Sequence, residues 1–183
     1  MIYEAVIGKD VPISEPTEAD RLRGGDPAAL AAAVGRYQHR LYRYLIRLVR
    51  DPAAADDLFQ QTWLQAVRQI RRYDAARSFD TWLFAIAHNV AIDLLRRRPG
   101  ESLEDYAAPE PDALDLVLAG ERAAQLAAAM DALPALYREV ITLRFEEGMK
   151  LEEIAVVIHA PLSTVKSRVQ RGLERLRRNY EQP

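Results

Sequence analysis

Apolar residues recur along this chain at three- and four-residue steps and almost never alternate at two, which predicts helices throughout and no strand of any length. The first long stripe is Leu30, Val34, Tyr37, Leu41, Leu45 and Leu48. Ahead of it, Asp26 and Pro27 supply an N-cap acid and a proline at the first helical position. Asp51 and Pro52 break the pattern and restart it. A second helix, 54–72, carries Leu58, Thr62, Gln65 and Gln69 along one line and Phe59, Trp63, Ala66 and Ile70 along another. After a polar, turn-like stretch over 73–78, a third helix runs over 79–98 on Leu83, Ile86, Val90 and Leu94, and Pro99 and Gly100 end it. Further helices are predicted over 121–133, 135–147 (closed by Gly148 at C′), 151–158 and 163–179. The fold class is therefore all-α. Two small helical domains, a three-helix-type N-terminal bundle and a C-terminal helix-turn-helix domain, are joined by a flexible acidic linker. The predicted boundaries are an extension over 1–16, a first domain over 17–98, a linker over 99–120 and a second domain over 121–183.

Charge changes this picture only when it is resolved by position. The 183 residues carry a net charge of -2, which on its own argues against a nucleic-acid partner. By segment the balance is +5 over 36–50, +4 over 68–98, -7 over 99–121 and +4 over 161–183. The five arginines of the first block (Arg36, Arg40, Arg43, Arg47, Arg50) run beside the apolar stripe with no acid inside the helix at i±4 to neutralise them. Two basic modules flanking an anionic connector is one reading, and solvated charged faces is the other. The chain has no cysteine, so disulfides, thiolate metal sites and cysteine nucleophiles are excluded. Its longest apolar run, Ala28 to Val34, is far too short to span a bilayer, and a soluble, cytoplasmic protein without membrane insertion is expected.

The most informative stretch is 151–169. Ile154 and Ile158 suit the core of a first short helix, Ala155 is small enough for a helix crossing, and Val165 and Val169 pin a second helix, the order of a helix-turn-helix. A helix of about 15 residues is roughly 22 Å long and fits the DNA major groove, presenting its N-terminal side chains to base edges. Those side chains are Ser163, Thr164, Lys166, Ser167, Gln170 and Arg171, all hydrogen-bond donors to bases or phosphates. The bland alternative is an ordinary helical hairpin.

The run from Leu133 to Gly148, followed by Glu153-Ile154-Ala155 and by Ser163 to Arg168, resembles the promoter-binding C-terminal domain of bacterial RNA polymerase sigma factors of the extracytoplasmic-function (ECF) subfamily. Residues 55–64 are similar to the segment with which such factors bind the polymerase β′ clamp helices, and 79–98 to the segment that opens and reads the minus-ten element. The resemblance spans about 26–178 with the three segments in the family's order. It implies core RNA polymerase (β′ clamp helices and β flap), promoter DNA and an anti-sigma factor as partners. It implies a polymerase-facing patch of Asp56, Asp57, Leu58, Gln60, Gln61 and Trp63. The loop from Tyr73 to Phe79, including Arg77 and Ser78, would receive a flipped base, with Trp82 and Asn89 beside the non-template strand and Arg96, Arg97 and Arg98 on phosphates. Ser163, Thr164, Lys166, Ser167, Gln170 and Arg171 would read the minus-thirty-five element, with Arg168 and Arg178 nearer the backbone. For Trp63 and Trp82 the residues alone equally allow a core role, and the aspartates and arginines at helix ends equally suit the helix dipole.

Four positions depart from the family pattern. His159 stands where the interhelical turn has glycine, and Lys150 where a Ser or Thr cap is usual. Ser163 replaces a glycine and could cap the recognition helix, and Gln61 stands where an acid is common. Neither a phosphate loop, a nucleophile elbow nor metal-ligand spacing occurs, and His39, His88 and His159 are scattered, so no enzyme activity, cofactor or metal is expected. Two other classes fit the same residues: a stand-alone helix-turn-helix regulator with a helical sensor domain, and a helical adaptor that holds another regulator.

Overall fold

The computed structural model describes residues 18–74, 78–97 and 120–181. The predicted extension over 1–16 and all but the last residue of the predicted linker lie outside them. Every regular element among the described residues is helical.

The first domain opens with a short helix that the pattern did not reveal, α1 (Glu18–Arg23). α2 (Pro27–Val49) starts where Asp26 and Pro27 place it, the Asp26 carboxylate accepting from the Ala28 N–H at 2.9 Å. Its buried line is Ala29, Ala33, Tyr37, Leu41, Leu45 and Leu48. Arg50 closes it in a left-handed conformation, φ 54°. α3 (Pro52–Gln69) is capped by Asp51, which accepts from the Ala54 N–H at 3.1 Å, and buries Ala55, Leu58, Thr62, Trp63 and Ala66. Thr62 stays inside by donating to the Leu58 carbonyl at 2.7 Å. A 3₁₀ turn (Ile70–Arg72) follows, and Arg23 of α1 fastens the chain beyond it, donating from Nε and Nη2 to the Tyr73 carbonyl at 3.0 and 2.7 Å. α4 (Phe79–Arg97) completes the bundle with Leu83, Phe84, Ala87, Ala91 and Leu95 inside.

The second domain comprises α5 (Glu121–Asp131), α6 (Ala135–Ile141), which widens into a π turn over Thr142–Glu146, α7 (Leu151–Val157) and α8 (Leu162–Glu181). Gly148 ends the π turn at φ 70°, as its C′ position predicts. Buried Arg138 donates from Nη1 to the carbonyls of Asp131 and Leu133, both at 2.9 Å, and so fixes the turn between α5 and α6. α8 lies close against α6 at Gly172, where an added Cβ would stand 3.1 Å from Ile141 Cγ1. A side chain there would force the two helices apart or displace Ile141.

The domains are not separate bodies. α7 packs on α4 and α6 on α2, and one hydrophobic core runs from Leu41 and Phe84 through to Ile154 and Val157.

Candidate nucleic-acid and polymerase interface

On α3 the outward line is Asp57, Gln60, Gln61, Leu64 and Arg68, all exposed, with Asp56 also exposed beside Tyr42. Burial and then the Asp56 carboxylate raise the Tyr42 phenol above its ordinary range, which marks how near the acid stands to α2. Leu58 and Trp63 depart from the predicted patch. They are 2% and 8% exposed, with Trp63 edge-on to Phe59 at 6.5 Å, so both belong to the bundle's interior rather than to its outward line; what Trp63 shows lines a cleft shared with Leu22, Phe79 and Trp82. The most exposed apolar group on this helix is Leu64, 57% exposed between the glutamines and Arg68, with Val67 also exposed at 47%. Sequence reasoning missed it. The signal was present, since Leu64 follows Gln60 and Gln61 by four and three residues and thus falls on the polar line.

On α4, Trp82, Ala85, Asn89, Asp93 and Arg96 share one face at helical spacing, with Arg97 flanking it. Asn89, Arg96 and Arg97 are exposed and Trp82 is half-buried. The start of this helix is different in kind from an open base pocket. Tyr73 is 6% exposed, and Tyr73, Phe79 and Trp82 pack on one another with centroids 5.2 to 5.5 Å apart. Tyr37 joins them 5.3 Å from Phe79 and bonds through its hydroxyl to Asp80, and burial first and Asp80 second raise that phenol above its ordinary range. Tyr73 is therefore a structural member of an aromatic cluster with Phe79 and Trp82. Ser78 is exposed just ahead of α4, while Arg77 and Arg98 lie outside the described residues.

The helix-turn-helix consists of α7, the turn at His159 and α8. His159 takes φ 49°, the left-handed conformation its place in the turn demands, and Ala160 N–H reaches back to the Ala155 carbonyl at 3.1 Å. Lys150 offers no acceptor to cap α7, and Glu153 compensates by accepting the Lys150 N–H at 2.7 Å, one half of a capping box. The predicted capping role of Ser163 is corrected: α8 begins at Leu162, so Ser163 already lies within its first turn and is exposed. Val165 and Gly172 face inward, Val169 and Leu176 flank them, and Ser163, Lys166, Gln170, Arg171 and Arg178 face solvent. Thr164, Ser167 and Arg168 are half-buried along the flank, with the Ser167 hydroxyl donating to the Thr164 carbonyl at 2.9 Å. The Gln170 amide donates to Glu174 at 3.1 Å, an exposed bond that a base edge can displace.

The arginine stripe of α2 is not the open anion-binding face that its charge suggests. Arg40 bridges Glu147 and Asp80, each at 2.8 Å, and Arg47 stands 3.7 Å from both Asp131 and Glu146. Arg50 donates to the Asp131 carbonyl at 2.8 Å. Three of its five members thus point at acids of the second domain.

Known proteins match both halves of this arrangement. The family model described as Sigma-70 region 2 matches residues 33–99, and that described as Sigma-70, region 4 matches 123–176. The chain is 30% identical over 172 residues to the ECF RNA polymerase sigma factor SigW of Bacillus subtilis, covering 86% of this chain and 92% of that protein. It is 34% identical over 173 residues to the RNA polymerase sigma-H factor of Pseudomonas aeruginosa, covering 85% and 88%. Among solved structures, CnrH in complex with the cytosolic domain of CnrY superposes with a TM-score of 0.67 at 27% identity, covering 87% of this chain and 92% of that one.

Proposed function

The chain belongs to the ECF family of sigma factors and directs promoter-specific transcription initiation, and from that premise we propose a division of labour among its helices. α3 docks on the core polymerase, at the β′ clamp helices, through Asp56, Asp57, Gln60, Gln61 and Leu64. Two carboxylates complement a basic surface, and Leu64 supplies the apolar anchor that a polar rim surrounds. α8 enters the major groove of the minus-thirty-five element. Lys166, Gln170 and Arg171 read base edges while Arg168 and Arg178 hold phosphates and set the helix in register. The face of α4 tracks the minus-ten strand, with Asn89 pairing to a base edge once the duplex opens and Arg96 and Arg97 on phosphates. Trp82 lies at one end of that face, where its half-exposed ring can cover an unstacked base.

The second domain also meets the β flap, and an anti-sigma factor regulates the chain. The likeness to CnrH, solved with the cytosolic domain of CnrY, supports that partner. No reaction is assigned to the chain itself and no cofactor is needed. Among the described residues no cluster suits a metal ion, and no helix is long and apolar enough to cross a membrane.

The observation that carries this reading is the separation of tasks by face. The groups suited to DNA stand on the outer lines of α4 and α8, while α3 displays acids, amides, Arg68 and the exposed apolar side chains Leu64 and Val67. Purified core polymerase with and without this chain, transcribing a random-promoter library, tests it. Transcripts that start downstream of a shared two-part motif only when the chain is present are the expected result, and no motif enrichment in any reaction would refute it.

A further inference from the structure

One hollow in the first domain is accounted for neither by polymerase docking nor by DNA reading. α1, the start of α2, α3 and α4 converge around a cleft of about 210 Å³. Its apolar walls are Leu22, Leu30, Trp63, Ile70, Phe79 and Trp82. Leu22 and Trp63 are buried in the bundle, whereas Leu30, Ile70, Phe79 and Trp82 are only half-buried, and Val67 at the rim is exposed. Soluble domains seldom gather aromatic and branched surface in one concavity unless something covers it. An apolar cavity of about 150 Å³ accepts benzene, so this cleft has room for one ring with a short substituent.

The polar groups narrow the class of ligand. Arg23, Asp26 and Arg71 all reach the cleft, and two of them are already engaged. Arg23 is held by the Tyr73 carbonyl and by Asp20, and Asp26 caps α2 by accepting the Ala28 N–H. Arg71 is exposed and has no hydrogen bond or ion pair among the described residues. The available charge is thus a single cation, and the Asp26 carboxylate at the same cleft disfavours a second negative charge on anything that binds. The Trp63 Nε1–H is closed to solvent and has no acceptor among the described residues. A buried indole N–H ordinarily finds one, so this donor is left over for an acceptor that the fold does not supply. Phe79 and Trp82 are tilted 47° to one another with centroids 5.4 Å apart, so a flat ring laid against them can meet one by its face and the other by its edge.

We propose that this cleft binds a small aromatic monocarboxylate, with its ring against Trp63, Phe79 and Trp82 and its carboxylate paired with Arg71. The guanidinium fork and the flat carboxylate match in geometry. An aliphatic acid would give up the ring-to-ring contacts, and a phosphate or dicarboxylate would set its second charge beside Asp26. The cleft lies between the docking line of α3, which Val67 joins three residues after Leu64, and the minus-ten face of α4, which Trp82 begins. A ligand held there touches the neighbours of both surfaces.

Both tryptophans of the chain line the cleft, so intrinsic fluorescence reports its occupancy without a label. Hydrocinnamate is the probe, a phenyl ring on a short arm with one carboxylate, and hydrocinnamide is the neutral control. Titrating the full chain with the acid should give a saturable fluorescence change with a Kd below about 1 mM, and calorimetry should give one site per chain. The amide should bind about five- to tenfold more weakly. Arg71→Ala should weaken binding of the acid by the same factor and leave the amide unaffected. Val67→Asp, which sets an acid at the rim, should also weaken binding of the acid more than that of the amide. Both positions are exposed, so thermal melts of the two variants should match the unmodified chain. No saturable change, or equal binding of acid and amide by the unmodified chain, would overturn the proposal, and so would two variants that bind the acid as tightly as the unmodified chain does. None of these measurements needs polymerase or promoter, so the site stands or falls separately from the sigma-factor reading.

Discussion

Truncating Leu64 separates a docking residue from a core residue on the same helix. Leu64 is 57% exposed, whereas its neighbour Trp63 is 8% exposed. Fully burying a leucine side chain is worth about 1.5–3 kcal/mol, so covering the exposed part of Leu64 at a polymerase interface should yield about 0.9–1.7 kcal/mol. Leu64→Ala should accordingly weaken binding to core polymerase roughly 4- to 20-fold, with the thermal midpoint of the free chain almost unchanged. Trp63→Ala should behave in the opposite way. Removing a buried indole costs about 3–5 kcal/mol of stability, and any loss of affinity should track the unfolded fraction. Fluorescence anisotropy of labelled chain titrated with core polymerase, paired with thermal melts of the same samples, reads both quantities. An unchanged affinity for Leu64→Ala would remove Leu64 from the interface and with it the argument that exposure on the Asp57 line locates the docking surface.

Other consequences bear on DNA and on the contact between the domains. Arg171→Ala should cost about 1–3 kcal/mol of discrimination at one minus-thirty-five position, measured by competition among single-base variants, and an equal loss on every sequence would reassign Arg171 to the backbone. With Lys166, Arg168, Arg171 and Arg178 near the duplex, the log–log salt dependence of minus-thirty-five binding should have a slope of roughly -3.6, and a slope near -1 would show that most of these cations miss the phosphates. Asn89→Ala should lower permanganate reactivity of the melted minus-ten region while leaving polymerase affinity intact; equal opening by the variant would deny Asn89 its role. Burial, outweighing Arg40, holds the Glu147 carboxyl above its usual range. Its protonated form is therefore favoured on folding, so its contribution is greatest below about pH 4.5 and is lost as pH rises through the raised value. Denaturant titrations from pH 4.5 to 6.5 should show this trend, and Glu147→Gln should flatten it; an identical slope in the variant would contradict the assignment.

Much of the fold was legible because its signals are local. Asp26 and Asp51 with their following prolines mark two helix starts, and Gly148 marks a stop, each through chemistry confined to one turn. His159 was readable for the same reason, since only the backbone of the turn decides its conformation. What escaped is non-local or too short. α1 has six residues, fewer than two turns, and cannot display a period. The contact between the domains joins residues 95 positions apart at Tyr44 and Glu139 and 107 apart at Arg40 and Glu147, and no periodicity along one helix encodes a partner at that distance. The polymerase patch was half legible. An apolar stripe says which residues share a face, but the bundle decides which face is inside, and it took Leu58 and Trp63 inward while leaving Leu64 out. Tyr73 shows the same limit, an aromatic that suits a base pocket by type and a core by position.

The central claim is that one chain places two helices on two distant promoter elements. Because the chain has no cysteine, an iron-chelate cleavage reagent can be attached at Asp93→Cys beside Asn89 on α4, or at Glu174→Cys beside Gln170 on α8, both exposed. Each labelled chain, assembled with core polymerase on a promoter it transcribes, should cut DNA at one cluster. The two clusters are expected about 25 base pairs apart, close to 85 Å along the helix, with the α4 cluster downstream and confined to the melted region. Overlapping clusters, or cutting spread evenly along the duplex from either position, would contradict it.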